Sequence, residues 1–528
     1  LTTKKRSAKR QAKTIETPSL IPTVVRARYD SVQNGTDNDR HWSWSDLLGP
    51  NAALSPEVRR IARSRARYEF LENSSYAFGI VSTVVGDTIG TGPRLMLKGG
   101  SERQNAEIQE MWQSWATLSG IQVKLQAMMI DEIVAGAGLA RLYYDASLPH
   151  EIGLNLQELE IDHLQSPHYA EPNRRDYCDG IHLDRFGNPV AYDILKDHPG
   201  EAYLNIRTHE YTTLPRSEVI HVFRKVRPGQ HHGISQVVSA LPLCAYLRRF
   251  TLATVSAAEG AANVAMAIHS DLPLPSEYED VAAEASIGSW MKEMQVTRNM
   301  AMFLPNGFRL SQIASEHPNS TYEMFKREII NEIARCLDVP SNVAMANSSL
   351  YNYTSGRMDH QVYQRSIAMR RNRVEKEILE RVFSNWIYEA ALAGAIPRRF
   401  ANQVRAVADR FGVEGIACRI GHGWYWDGFE FVDPDKEASA VETSMRIGIS
   451  HRAAEYAKRG MDMDTEDEIA ARGFGLSVEE YRRGIGIQTM FNGNVNAFTP
   501  GVAEGQPGAA QTVPDESEDD SEDDDGEE

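Results

Sequence analysis

Between Thr321 and Gly394 apolar residues recur at helical spacing, interrupted once. The run TYEMFKREIINEIARCLDVP (321–340) is amphipathic and stops at Pro340. A polar connector rich in Asn and Ser follows, SNVAMANSSLYNYTSG (341–356). From Arg357 to Ala393 there is no Gly or Pro. Val374, Ile378, Val382 and Trp386, flanked by Leu379, Phe383, Ile387 and Ala390, predict one helix of roughly 55 Å. Gly394 and Pro397 end it. A helix of that length is a strut, preceded by a soft polar hinge.

The rest of the pattern is mixed, so the fold class is α+β. Helices are expected from Pro56 to Phe70, from Ser75 to Thr88 and through most of 101–135. Leu139–Tyr144 alternates as a strand does. Residues 154–223 are β-rich, with turns at DRFGNP (184–189) and DHPG (197–200). After Pro242 a helical run extends to about His269 and is crowded with small residues, among them Ala253, Ser256, Ala257, Gly260, Ala261 and Ala265. Such residues allow neighbouring helices to approach closely, as in a packed ring or bundle. Alanine's helix propensity accounts for the same composition. Residues 271–315 form a compact insert, with a short helix and then the strand-like AMFLPNGFRL, so the flanking helices are expected to be antiparallel neighbours with the insert at their tip. Beyond the strut come helices at Asn402–Phe411, Asp435–Met445 and Arg452–Gly460, the last with Ser450 as its N-cap.

A chain of 528 residues implies several modules, and 42% hydrophobic with 24% charged residues is ordinary for a water-exposed protein. No window approaches the run of ~20 apolar residues that spans a bilayer. The basic N-terminus has no apolar h-region and is not expected to be a secretory signal; starting at Leu1 rather than Met, it reads as processed or truncated. Cys178, Cys244, Cys336 and Cys418 form no CxxC pair and read as reduced core residues.

Charge is uneven. The net is −17, of which the run Asp515–Glu528 carries about −11, while residues 1–30 carry about +6. The body between stays negative, about −12, unlike a protein that grips duplex DNA by its phosphates. Residues 1–25 and those beyond about 495 read as disordered. The helix from Pro56 carries Arg59, Arg60, Arg63, Arg65 and Arg67, a stripe that suits a solvated, ion-paired face or one turned toward a neighbouring subunit or polyanion. GDTIGTG (86–92) lacks the Lys-Ser/Thr of a nucleotide P-loop and is read as a turn from helix to strand. Histidines are common from His163 to His232, but no HExxH spacing occurs and Cys178-x3-His182 alone is weak, so no metal and no cofactor are expected.

Several stretches together resemble the portal proteins of lambda-like tailed phages: RARYEFLENSSYAFGIVSTVVGDTIGTGPRL (65–95), HVFRKVRPGQHHGIS (221–235), EIARCLDVP (332–340), SSLYNYTSGR (348–357) and YWDGFEFVDPDKEA (425–438). They lie in the expected order over most of residues 25–480. The resemblance implies a ring, usually of twelve copies, at one vertex of the virion head. Double-stranded DNA would be packaged through it by a terminase motor and later ejected, and head-completion or tail connector proteins, capsid and scaffold would be neighbours. It implies no enzyme activity and no membrane. Carried onto this chain, it gives a basic arm (1–25), an α/β wing (26–233), a first stem helix (234–269), a small α/β clip (270–317) and a second stem helix (318–340). A tunnel loop (341–356), the long wing-spanning helix with the rest of the wing (357–450), helical crown (451–495) and acidic tail (496–528) complete it. The DNA-facing loop residues would be Ser341, Asn342, Asn347, Ser348, Ser349, Tyr351, Asn352 and Tyr353. The clip would present Glu277, Tyr278, Glu279, Asp280, Lys292 and Arg298 to terminase or connector. Ser256, Ala257, Gly260, Ala261 and Ala265 would pack the stem between subunits. Two other classes stay open: a metal-dependent nuclease, for which no compact acidic cluster stands out, and a capsid scaffold or adaptor without a channel.

Overall fold

The computed structural model describes residues 47–167, 173–201, 210–262, 266–270, 308–312, 319–349, 351–429 and 434–491. A one-turn helix α1 (Pro50–Ala53) leads to α2 (Pro56–Arg67), where Pro56 occupies the first turn and the Ser55 side chain accepts from Val58 N–H. A π-type turn, Tyr68–Asn73, joins α2 to α3 (Ser75–Ile89). Gly90 (φ +53°) and Gly92 (φ +102°) then turn the chain into β1 (Arg94–Leu97), so GDTIGTG is the helix-to-strand turn that the sequence indicates. α4 (Glu102–Ser119) and α5 (Ile121–Val134) follow, within the span expected to be helical.

β2 (Gly138–Tyr144) is the centre of a three-stranded antiparallel sheet, between β3 (Leu154–Leu159) and β9 (Val219–Val222). A five-stranded antiparallel meander, β4 (Asn173–Arg174), β5 (Tyr177–Cys178), β6 (Ile181–Leu183), β7 (Pro189–Leu195) and β8 (Tyr211–Pro215), lies within the same stretch. At its DRFGNP turn the Asp184 carboxylate accepts from the Phe186 and Asn188 N–H groups, the local bonding that makes Asp a turn former.

The arginine stripe of α2 is turned inward. Arg59 pairs with the buried Asp179, Arg63 with Asp162, Arg67 with Asp162 and Glu160, and Arg60 reaches Gln165. It is therefore a charged seam between helix and sheet rather than a solvated face, and only Arg65 stays exposed.

α6 (Leu241–Ala262) packs on α7 (Asn319–Arg335). The Phe250 ring stacks on Tyr322 and touches Phe325, while Cys244 is within electrostatic reach of Cys336, so the two helices are the antiparallel neighbours expected. One expectation fails here. The helical run does not continue to residue 269: β10 (Met266–Ser270) is a strand, paired antiparallel with β11 (Phe308–Gln312). Ala-rich sequence favours helix locally, but a strand partner 40 residues away offers the same backbone groups a ladder. The calls for residues 1–46, most of 270–317 and 492–528 lie outside the described residues, as do Ala265 and all six clip residues from Glu277 to Arg298.

After the short helix α8 (Ser341–Met345), the strut is α9 (Tyr353–Val374) and α10 (Glu380–Ala393), joined without a break by a π-type turn at Glu375–Leu379 and roughly 60 Å long. α11 (Arg398–Phe411) leads to β12 (His422–Tyr425), which pairs antiparallel with β1. Four helices end the described chain: α12 (Pro434–Arg446), α13 (Arg452–Lys458), α14 (Met463–Phe474) and α15 (Val478–Phe491). The N-cap of α13 is His451, one residue beyond the expected Ser450; Ser450 Oγ instead donates to Glu455. The main core centres on Trp112, Trp115, Phe383 and Trp386, where α4 meets α10, with β1 and β12 alongside.

Candidate functional site

The connector between α7 and α9 is shorter and more ordered than the run of Asn and Ser implies. α7 ends in a turn in which Asp338 takes a left-handed conformation (φ +60°) and Val339 N–H bonds back to Ala334 O. Pro340, extended, precedes α8. Ala346 (φ +50°) terminates α8, and Asn347 N–H returns to Asn342 O. Asn347 Oδ1 then accepts from Ser349 N–H, Tyr351 N–H donates to Ser348 O, and Asn352 Oδ1 accepts from Ser355 N–H to cap α9.

The predicted set therefore divides. Asn347, Ser348 and Ser349 stand exposed on the connector. Tyr351 is half-buried. Asn352 is committed to capping, and the exposed Tyr353 is the first residue of the long helix. Ser341 and Asn342 belong to α8 and are half-buried, with Asn342 Oδ1 buried among no partner in the described residues. The loop predicted at 341–356 is thus corrected to a span of about seven residues between two helix ends, because Asn and Ser cap helices as readily as they make loops. No Lys or Arg occurs from Ser341 to Gly356.

What holds this uncharged tip is charged and inside. Arg370 of α9 donates to Leu337 O, at the end of α7, and to Gln236 Oε1; Gln236 in turn donates to Ile133 O from its backbone and to Glu132 Oε1 from its side chain. Arg373 pairs with the buried Glu132 at 2.6 Å. The next residue after Arg370, Arg371, donates to the carbonyls of Asp87, Thr88 and Asp427, and its guanidinium lies against Trp426 and Phe429. Asp427 accepts from both the N–H and the hydroxyl of Thr91, and a Cβ on Gly90 would come within 2.2 Å of its Oδ2. The two motifs GDTIGTG and YWDGFEF are therefore one clasp. Trp426 Nε1 donates to Glu375 Oε1 at 2.6 Å, at the π-type turn. Tyr363 OH donates to Asp87 at 2.6 Å; burial and that carboxylate push the phenol well above its ordinary range. These anchors were not foreseen in the sequence. The available signal was charge on the core-facing side of a long helix, the RRNR run at 370–373.

Elsewhere, Ser256 is exposed and Ala257 half-buried on α6, and Gly260 and Ala261 lie in its last turn. Burial lowers the His221 imidazole to about 3 and holds His232 well below its ordinary range, so both rings are neutral, His232 buried and His221 half-buried. Among the described residues, Glu160, Asp162 and His198 bring three ligand atoms within 4.8 Å of one another. Arg67 already bridges Glu160 at 3.0 Å and Asp162 at 2.8 Å, so a guanidinium supplies the positive charge there. No helix among the described residues is long and apolar enough to cross a membrane.

A family model described as phage portal protein, lambda family, matches residues 37–371. A probable portal protein of Halomonas phage phiHAP-1 is 23% identical over 325 residues, 60% of this chain and 58% of the relative, so the chain spans well under two thirds of that relative's length. Among solved structures, the neck of a native gene transfer agent (GTA) particle, computed with C12 symmetry, aligns with 76% of this chain and 93% of its own at 14% identity and a TM-score of 0.42. An HK97 family phage portal protein from Corynebacterium diphtheriae aligns with 60% of this chain and 85% of its own, at 14% identity and a TM-score of 0.25.

Proposed function

Because the chain belongs to the lambda family of phage portal proteins, we propose that it assembles into a ring of twelve copies whose central channel passes double-stranded DNA. In this reading α6 and α7 are the stem, with Ser256, Ala257, Gly260, Ala261 and Ala265 packing between subunits, and residues 270–317 are the clip that meets terminase and connector proteins through Glu277, Tyr278, Glu279, Asp280, Lys292 and Arg298. The strut spans the wing, and the C-terminal helices form the crown. The protein resides at the portal vertex of the virion, is assembled in the host cytoplasm, and acts as a conduit without a catalytic step.

The observation that supports this best is the connector itself. Asn347, Ser348 and Ser349 project from a tip without Lys or Arg, fastened by Arg370 to the end of α7 and by Asn352 to the start of α9. Each phosphate neutralised by a fixed cation adds affinity and salt dependence, so a cationic tip would hold DNA in transit. A polar neutral tip on a stiff base offers weak, sequence-independent contacts instead. Asn347→Lys and Ser349→Arg should therefore leave rings with a central hole, seen by negative-stain microscopy, while cutting DNA packaged per particle at least several-fold. Packaging unchanged in both variants overturns the role given to the tip, and a wild-type protein that forms no ring overturns the portal reading itself.

A further inference from the structure

Among the described residues, two of the exposed apolar surfaces lie on α2 and α9. The first is a groove of about 520 Å³ beside α2, lined by Val58, Ile61, Arg65, Tyr68, Val238 and Leu241. Val58 is 45%, Ile61 53% and Tyr68 48% exposed, although the opposite side of α2 is buried in the charged seam. The second is a stripe along the outer side of α9, Met358, Val362 and Met369, at 64%, 56% and 75% exposure, with Arg365 between them. The other side of α9 is buried through Tyr363, Ile367, Arg370 and Val374. Spacings of four and seven residues put the stripe on one helical face.

Charge chooses how these surfaces fit. α2 presents Glu57 at its start and Arg65 near its end, and α9 presents Asp359 and then Arg365, in the same order along the chain. Packed antiparallel, Glu57 falls opposite Arg365 and Arg65 opposite Asp359, with Ile61 against Val362 between them. At 1.5 Å per residue the acid-to-base separations are about 12 Å on α2 and about 9 Å on α9, a difference that Arg and Glu side chains span. Packed parallel, like charges would meet. Arg65, Asp359 and Arg365 make no ion pair among the described residues, so each is available. Methionines on the stripe suit an irregular groove because the unbranched thioether adapts its rotamers.

We propose that the α2 groove of one copy receives the Met358–Val362–Met369 stripe of α9 from a second copy, antiparallel, with Arg65 on Asp359 and Glu57 on Arg365. The two surfaces are unlike, so the contact is head-to-tail and leaves one of each unfilled on every pair; it is satisfied throughout only when the chain of subunits closes on itself. The proposal rests on the ring reading above and names the faces that would close it.

The test is carried out on the full-length oligomer with the exposed Cys418 replaced by Ser. Ile61→Cys together with Val362→Cys, oxidised and run without reductant, should give a ladder of covalent multimers. Each single variant should stay at the mass of one chain. A double variant that stays at that mass overturns the proposal, and so does a ladder that stops at dimers. A disulfide between Ile61→Cys and Trp44→Cys within one chain would also overturn it, by placing the protein's own N-terminal segment in the groove. As an independent arm, Arg65→Glu should lower the yield of rings at least about five-fold, and adding Asp359→Arg should restore most of it. An unchanged yield, or no restoration, overturns the pairing. Rings that form normally in all these variants leave the portal reading standing without this interface, whereas a wild-type chain that is monomeric by mass removes the portal reading first.

Discussion

The body of the protein and its C-terminal helices are held together by different forces. In the body, Trp112 packs on Trp115, Trp386, Trp424 and Phe383, with ring centroids 4.9, 5.1, 5.3 and 6.2 Å away, and the cluster continues through some fifty buried apolar side chains. Past Trp426 the described chain buries, besides Gly460, a single apolar side chain, Ala471, and one charged one, Asp467. Asp467 sits between Arg452 and Arg482, Arg482 also reaches Asp464, and Arg459 pairs with Glu437. Ile447, Ile449, Ile469 and Phe474 face outward there. Burial of aromatic area gives the body stability of its own. The C-terminal helices have an electrostatic knot in place of a core, the character of a segment that opens locally at low cost.

Removing an aromatic from the body tests one side of this contrast and carries the largest effect. Trp386→Ala should cost about 3–5 kcal/mol, enough to leave little folded protein. Trp386→Phe should cost much less, because its Nε1–H is buried with no partner among the described residues and its loss removes no hydrogen bond. Thermal unfolding followed by near-ultraviolet circular dichroism reads both. A Trp386→Ala protein that melts within a few degrees of wild type would break the contrast from the body side.

The corresponding change in the C-terminal helices is Asp467→Ala, which leaves two arginines facing each other without their carboxylate. Arg452 and Arg482 are 22% and 37% exposed, so water recovers part of the loss and the cost should be about 1–3 kcal/mol, below the value for a fully buried pair. Amide exchange over 452–485 should accelerate at least about ten-fold while exchange in α4 and α10 is unchanged. Raising the salt concentration to about 1 M should loosen the same amides in the wild-type protein and leave the aromatic core untouched, since screening acts on charges and not on buried area. Equal responses in the two regions would show that the knot is not what holds the C-terminal helices.

The same contrast explains what could be read from sequence. The helices and strands of the body follow apolar periodicity, and α2, α3, α4, α5, α9, α10 and β2 lie where that periodicity puts them. What stayed hidden depends on partners far along the chain. Arg59 and Arg63 repeat on the buried side of α2, yet their carboxylates are Asp179 and Asp162, more than ninety residues on. Gly90 is small because Asp427 approaches it, and the strand at Met266–Ser270 exists because Phe308–Gln312 is beside it. For the connector, the polar composition was legible but its division between helix caps and exposed residues was not, since a capping Asn352 and an exposed Asn347 look alike until the start of α9 is known.

The smallest effect comes from the charged cluster under α2. Burial raises the Asp131 carboxyl from an ordinary 3.8 to about 7, against the opposing pull of Arg67 at 3.7 Å; Glu160 and Asp162 nearby favour the neutral form further, and Arg63 opposes it. A carboxyl raised on folding holds a proton that the unfolded chain has already released, so between about pH 4 and pH 7 the folded state binds more protons and stability falls as pH rises; above about 7 the contribution is flat. Asp131→Asn removes this one dependence. The melting temperature of the variant relative to wild type should therefore climb between pH 5 and pH 8 by a few degrees, about 2–4 °C for each kcal/mol of differential protonation in a domain of 150–250 residues. A difference that stays level across that range would mean that Arg67 keeps Asp131 ionised in the fold, and that α2 is held to the body by the same kind of ion pairing as the C-terminal helices.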